Sequence, residues 1–265
     1  MFSLRRIFFL GLSCLMASMV VSRPLHATPS YFLFWYPGGA GDALAAQPLL
    51  DQFTKLLETE LSGTAWRGIY IPVEDKGISF IRGPKPAFGI VSRLMYRKHR
   101  VALGMEAIAT TRPLPHGKTE ERLSLVKGPC TTASGAARIF GSEPFSLAYL
   151  REVFGAQGAD ALTAWPTGNV SDAADMRRTV QSIAESGSCS AAVLTEREQA
   201  AMRAIKAPWK DALRQVAVSA PIPTPPVVRF GAQPQAAALR EALLRIGRSP
   251  AARAILHELR LAGFE

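Results

Sequence analysis

Two short stretches carry residue types suited to holding an anion. Tyr36-Pro37-Gly38-Gly39-Ala40-Gly41-Asp42 places three glycines directly after an apolar, aromatic run. Glycines leave backbone N–H groups uncovered, and several such groups in a tight loop cradle an oxyanion. The second stretch is Cys130-Thr131-Thr132-Ala133-Ser134-Gly135. Hydroxyls and unpaired amides at a helix start make a cradle of the same kind. Each stretch has a plainer reading beside this one. The first is also an ordinary turn out of a strand, with Asp42 taking up the exposed amides itself. The second is also an ordinary helix cap. Lys118 adds a charge that a solvated loop lysine would equally explain.

Catalytic patterns are scarce. The chain has no Gly-x-Ser-x-Gly, no Gly-x-Gly-x-x-Gly and no complete Walker-type phosphate loop. Glu120-Glu121 sits in a charged stretch and reads as solvated surface, not as an acid/base pair. His99, His116 and His257 are far apart, and no Cys-x-x-Cys is present, so no metal site and no cofactor is expected. The Lys and Arg residues number 31 against 21 acids, a formal net charge of +10. They are scattered. Arg97-Lys98-His99-Arg100 is the one run, and no aromatic residues interleave it, which argues against nucleic acid.

The elements that must position these residues read as strands alternating with helices. Tyr31 to Tyr36 is a buried strand, and Leu49, Leu50, Phe53, Leu56, Leu57 and Leu61 recur at helical spacing after it. That helix is expected from about Gln47, with Pro48 in its first turn. Gly68–Ile71 and Pro86–Ser92 read as further strands, with a short helix over 75–82 between them and another from Leu94. An extended segment begins at Ala107 and resumes at Leu123. Ser171 is expected to cap a helix through Met176, Val180 and Ile183. A strand over 187–194 precedes one more helix, and Val216–Val228 is extended. Two helices close the chain, the last opened by Ser249-Pro250. Alternation of this kind predicts an α/β fold with mostly parallel sheets.

The first 27 residues have the order of an export signal. Arg5 and Arg6 precede an apolar segment from Ile7 to Val21, and Leu25-His26-Ala27 offers a cleavage point. The apolar stretch is about 15 residues, short of the roughly 20 that span a bilayer. Cleavage near Ala27 and a periplasmic mature chain are expected. Removal of 1–27 takes away Arg5, Arg6 and Arg23 and no acid, so the net charge falls from +10 to +7. Such a balance suits an anionic partner, and equally a solvated basic surface. Two cysteines remain, Cys130 and Cys189. In an oxidising compartment they are a disulfide candidate, two separate buried thiols being the alternative.

In this order the segments resemble the periplasmic solute-binding proteins of ABC transporters, the phosphate/phosphite/phosphonate-binding group in particular. Tyr36-Pro37-Gly38-Gly39 followed by Gln47-Pro48-Leu49-Leu50 is similar to that family's first strand, ligand loop and first helix. Pro84 to Ser92, with Tyr96, is similar to the next ligand-facing strand and its helix. Thr110–Val126 is similar to the crossing into a second lobe and Ala220–Val228 to the return. The resemblance implies a two-lobed type II periplasmic-binding clamp with two crossing hinge strands. Lobe 1 would take residues 28–112, lobe 2 residues 113–220, and residues 221–265 would return to lobe 1. It also implies that Tyr36, Gly38, Gly39, Gly41, Ser92, Tyr96, Thr131, Thr132 and Ser134 touch a small, anionic, phosphate- or phosphonate-like solute. Ser92 and Tyr96 are equally a helix cap and a core aromatic. Relatives carry Ser-Thr-Ser-Gly where this chain has Thr132-Ala133-Ser134-Gly135, so Ala133 lacks one hydroxyl. The implied role is capture of solute, without catalysis, by a monomer that meets a transporter permease in the inner membrane. A periplasmic sensor or accessory protein with the same clamp is the alternative. A thiaminase-like enzyme, with Cys130 as its nucleophile, is a further one.

Overall fold

The computed structural model describes residues 29–37, 42–61, 64–130, 138–143, 145–162, 171–172, 175–187 and 189–265. The candidate residues Gly38, Gly39, Gly41, Thr131, Thr132 and Ser134, and the expected export segment 1–27, lie outside these.

Strand β1 (Ser30–Trp35) is buried from Phe32 to Trp35. Both of its faces are covered, which is why it reads as an apolar run and not as an alternation. Helix α1 (Ala43–Glu60) starts a turn earlier than its apolar spacing suggests. Asp42 caps it, accepting from the Leu44 N–H at 3.1 Å. Pro48 therefore lies inside the helix, past its first turn. Strand β2 (Trp66–Ile71) pairs parallel with one edge of β1 and β3 (Phe88–Val91) with the other. Helix α2 (Glu74–Arg82) joins them, and α3 (Arg93–His99) follows β3.

Strand β4 (Met105–Pro113) then leads the chain away through β5 (Glu120–Glu121) into β6 (Ser124–Lys127). Next come β7 (Ile139–Gly141), α4 (Leu147–Leu162), β8 (Ser171–Asp172), α5 (Met176–Glu185) and β9 (Ala191–Leu194). Helix α6 (Glu196–Ala204) and β10 (Arg214–Val218) complete this part. The chain returns through β11 (Ile222–Pro223) to β12 (Pro226–Phe230), α7 (Ala236–Arg248), α8 (Arg253–Glu258) and β13 (Leu261–Phe264).

The strands form two sheets. One has the order β13-β4-β12-β3-β1-β2 and the other β10-β6-β9-β7-β8. Each mixes parallel pairs with antiparallel ones contributed by the crossing and returning strands. Between the sheets the outward and return segments pair as the antiparallel ribbon β5–β11, with Glu121 opposite Ile222. This is a mixed α/β architecture of two lobes joined by two crossings.

Three expectations about local structure change. The C-terminal Leu261–Phe264 is a strand on β4, not a helix end. Helix α7 runs up to Ser249, and α8 starts beyond Ala252, so Ser249-Pro250 forms the turn between them. Ser171-Asp172 is the edge strand β8, and Asp175 caps α5 by accepting from the Arg178 N–H at 3.1 Å. In each case a hydrogen-bonding partner far along the chain, or a nearer cap, overrides the local pattern.

Apolar packing falls into three clusters. One gathers Phe32, Phe53, Leu57, Leu243, Leu256 and Phe264, placing α1, α7 and α8 against the first sheet. A second holds Val180, Ile183, Ala192 and Met202 beside the second sheet. The third is continuous from Leu33, Trp35 and Leu94 in the first lobe to Leu123, Phe145, Tyr149 and Val193 in the second. Trp35 is fully buried there. Its indole is stacked on His99 at a centroid distance of 5.6 Å and packs against Gly77, where a Cβ would lie 2.1 Å from the indole nitrogen.

Candidate functional site

A cavity of about 730 Å³ lies between the two sheets. Phe34, Tyr36, Tyr70, Ile90 and Arg93 line it from the first lobe, and Ser142, Glu143, Met176, Thr195 and Arg197 from the second. Thr111, Pro113, Thr224 and Pro225 line it from the crossing segments.

Arg93 is the focus of its charge. It is the first residue of α3, and its side chain is 8% exposed. A guanidinium is kept out of water at that depth only when paired. Its Nη2 donates to Glu121 Oε1, and to Glu143 Oε1 at 3.2 Å. These three residues come from different parts of the fold: α3, the crossing ribbon and the loop after β7. The β5–β11 pairing explains why Glu121 turns inward while its neighbour Glu120 stays exposed.

The pairing is incomplete. Arg93 Nε and Nη1 and Glu143 Oε2 are buried and have no hydrogen-bond partner among the described residues. Burial works against the Arg93 charge, but Glu143 and Glu121 outweigh it and hold the guanidinium well above its ordinary pKa. Burial pushes the Glu121 carboxyl up, and Glu143 adds to this, while Arg93 opposes it. The Tyr36 phenol is pushed well above its ordinary pKa, chiefly by burial and then by Glu143, so it presents a neutral hydroxyl.

Around this cluster the lining carries further acids, Glu120, Asp175, Glu198 and Glu258, against Lys118, His116, Arg197 and Arg260. Some are already engaged. Glu198 Oε2 accepts from the Thr195 N–H at 2.7 Å in a capping box, and Asp175 caps α5. His116 Nε2 lies 3.0 Å from Glu196 Oε2, tying the crossing loop to the start of α6.

Of the residues expected at the site, Tyr36 lines the cavity. Ser92 is 2% exposed and caps α3, its Oγ accepting from the Met95 N–H at 3.4 Å. Tyr96 packs on the apolar cluster shared by the lobes, with the Arg100 guanidinium 6.0 Å from its ring centre. Neither Ser92 nor Tyr96 is among the residues lining the cavity. Lys118 does line it. Arg93, Glu121 and Glu143 were not anticipated. They lie 28 and 50 residues apart, and no short spacing links them. The one cue was Arg93 itself, an arginine directly after a strand assigned to the ligand side.

Cys130 and Cys189 are joined by a disulfide with Cα atoms 4.2 Å apart. Cys130 is thereby removed as a free nucleophile.

The architecture defines the class: two α/β lobes, two crossings and an interlobe cavity are the type II periplasmic-binding fold. Solved structures of that fold superpose on most of the chain. PhnD1 from Prochlorococcus marinus, in complex with methylphosphonate, matches with a TM-score of 0.63 at 14% identity, over 90% of this chain and 93% of its own. The binding-protein component of an ABC phosphonate transporter from Pseudomonas aeruginosa matches at 0.62 and 13%, over 89% and 81%. A Xanthomonas citri protein bound to ATP matches at 0.60 and 13%, over 89% and 90%. No protein-family profile and no curated protein sequence matches the chain. At these identities the likeness establishes the fold.

Proposed function

We propose that this chain is an exported solute-binding protein that closes two lobes, divided near residues 113 and 220, on a small solute bearing an anionic group. It hands the solute to an ABC transporter permease in the inner membrane and performs no reaction itself. The observation that carries the reading is the interlobe cavity of about 730 Å³, whose wall includes the Arg93 guanidinium together with Lys118 and Arg197. A charge-assisted hydrogen bond from such a wall to an anionic group contributes about 1.5–3 kcal/mol. Tyr36 adds a neutral hydroxyl on the same wall. The loop at Gly38, Gly39 and Gly41, and the hydroxyls of Thr131, Thr132 and Ser134, complete the cradle in this reading. The solved structures of the same fold support it: one holds methylphosphonate, another is a phosphonate transporter component. Among the described residues no helix is long and apolar enough to cross a membrane.

The test is a thermal-shift and native mass-spectrometry screen of the chain from Thr28. Phosphate, phosphite, phosphonates, sulfate and small carboxylates form the panel. A bound solute raises the melting temperature by mass action, with about 2.7 kcal/mol of added stability at a hundredfold excess over Kd. Stabilisation of wild type that is lost in Arg93→Gln supports the reading. Stabilisation unaffected by Arg93→Gln removes Arg93 from it.

A further inference from the structure

Resting on that reading, we propose that the solute is an amphiphilic organic anion. Its one charged head is held between Lys118 and Arg197, and its aliphatic or aromatic body lies along Ala46, Leu49, Tyr70 and Leu259.

The body is placed by helix α1. Ala46, Leu49, Leu50, Phe53 and Leu57 recur at helical spacing on one face. Leu50, Phe53 and Leu57 are buried against the first sheet. The same face runs on past that core to Ala46 and Leu49, which are half-buried and line the cavity. Tyr70 on β2 and Leu259 at the end of α8, also half-buried, line it too, and both of their elements pack on α1. The first lobe thus gives the cavity an apolar wall. A cavity of about 730 Å³ has room for a solute with a body of its own. Sites for such ligands measure about 300–1,000 Å³ and are lined mainly by apolar side chains, with a few polar groups to fix orientation. An inorganic anion or methylphosphonate would leave the apolar wall to water.

The head is placed by the charges that remain available. Glu121 and Glu143 are engaged by Arg93, Asp175 by the start of α5 and Arg178, Glu198 by a capping box, and His116 by Glu196. With these set aside, the described lining keeps Lys118, Arg197 and Arg260 against Glu120 and Glu258. That small positive balance suits one anionic group and not a polyanion. The contact of His116 with Glu196, at 3.0 Å, brings the crossing loop against the start of α6. Lys118 and Arg197 follow these two residues, and both are exposed and line the cavity. Arg197 is also near enough to Tyr36 for its charge to act on the phenol. The basic pair therefore comes from the crossing loop and the second lobe, apart from the apolar wall, as an amphiphile requires.

Titration calorimetry on the chain from Thr28 compares two matched pairs, acetate with hexanoate and methylphosphonate with hexylphosphonate. Each buried methylene is worth about a fourfold change in Kd, so the longer member of each pair is expected to bind at least about thirtyfold tighter. Leu49→Ser is expected to cut that gain by at least about fourfold and to leave the short members unchanged. Ala46→Phe, which fills the wall without adding polarity, is expected to do the same. Arg197→Gln is expected to weaken long and short members alike, by about tenfold. Leu44→Ser, at an apolar site that is 83% exposed and outside the cavity, is expected to change nothing. Circular dichroism and the melting temperature show that each variant is folded. The tighter pair identifies the head as carboxylate or phosphonate. If Leu49→Ser and Ala46→Phe both keep the full gain, the body does not lie on this wall and the proposal falls. If the short members bind wild type as tightly as the long ones, the proposal falls and the solute-binding reading stands. If none of the four binds and the broad anion panel is also silent, both fall.

Discussion

Thr111 and Thr224 fasten the two crossings to each other. The Thr224 hydroxyl donates to the Thr111 carbonyl at 2.6 Å, and the Thr111 hydroxyl donates to the Pro225 carbonyl at 2.7 Å. Both residues are essentially inaccessible, at 0% and 2% exposure. The outward and return segments are therefore held in register by side chains as well as by the β5–β11 ribbon. Replacing Thr224 by Val keeps the shape and removes the donor. A loss of about 1–3 kcal/mol in urea unfolding is expected, since a buried carbonyl loses a partner. A change below a few tenths of a kcal/mol would show that the hydroxyl is not needed.

Arg93→Met is the most damaging single change expected at the site. It leaves Glu121 and Glu143 buried without their cation, and removing one partner from such a cluster costs about 3–5 kcal/mol. The sign of the pH dependence follows from Glu121. Its carboxyl is pushed up by burial in the folded state, and loss of Arg93 removes what opposed this. A raised folded pKa means the folded chain binds a proton that the unfolded chain, at about 4.3, gives up. Stability of the variant is therefore expected to be greatest in acid and to fall as pH rises from about 4.3 through the raised value. Chemical unfolding at pH 5 and pH 7.5 checks this: the deficit relative to wild type is expected to be smaller at pH 5.

Glu74 behaves in the opposite way. Burial works to raise its pKa, but hydrogen bonds from Lys98 at 2.6 Å and His99 at 2.9 Å outweigh this and hold the carboxyl below its ordinary value. A depressed folded pKa contributes stability above the unfolded value of about 4.3 and loses it as pH falls through the folded value. Lys98 is well exposed, so the contribution is under about 1 kcal/mol. Glu74→Gln is expected to unfold at slightly lower urea than wild type at pH 7, with the gap closing near pH 3.

The disulfide closes a loop spanning 59 positions. In the chain-entropy account such a bridge contributes about 4 kcal/mol. Reduction is expected to lower the urea midpoint by a corresponding amount. Denatured, unreduced protein is expected to give no reactive thiol from Cys130 or Cys189.

Gly77 tests the packing of Trp35. A methyl group there would sit 2.1 Å from the indole nitrogen, closer than any real contact allows. Gly77→Ala is expected to displace the fully buried indole and cost about 1–3 kcal/mol, in spite of the better helix propensity of alanine. A red-shift or intensity change in tryptophan emission at matched folded fraction reports the displacement.

Most of the architecture was legible because apolar runs and helical spacing are local signals. The β1 run Phe32–Trp35 and the α1 face at Leu50, Phe53 and Leu57 declare themselves within a few residues. The two crossings were expected through the family resemblance that the order of elements carries. What escaped detection depends on distance. Strand β13 exists because β4 offers it an edge some 150 positions earlier, where Gly263 faces Arg112. Its own residues, Leu261-Ala262-Gly263-Phe264, are equally acceptable at a helix end. Glu121 reads as surface beside Glu120 until the ribbon with Ile222 fixes which of the two points inward. Arg93 reads as the polar start of a helix until Glu121 and Glu143 arrive from elsewhere to neutralise it. The cavity's chemistry is thus a product of tertiary structure and has no counterpart in local spacing.

The apolar cluster that runs from Leu33, Trp35 and Leu94 to Leu125, Tyr149 and Val153 has a consequence for how the molecule melts. Arg97 reinforces it at the surface, reaching Glu152 at 2.8 Å and lying 5.3 Å from the Tyr149 ring centre. Neither lobe keeps a sealed interior if the other unfolds, because a shared core is cut open in the process. Calorimetry is therefore expected to record one cooperative transition, with equal calorimetric and van't Hoff enthalpies, in place of two independent ones. A truncated single lobe would expose that surface and associate with itself. A ligand seated in the interlobe cavity would raise the temperature of the whole transition and not that of half the chain.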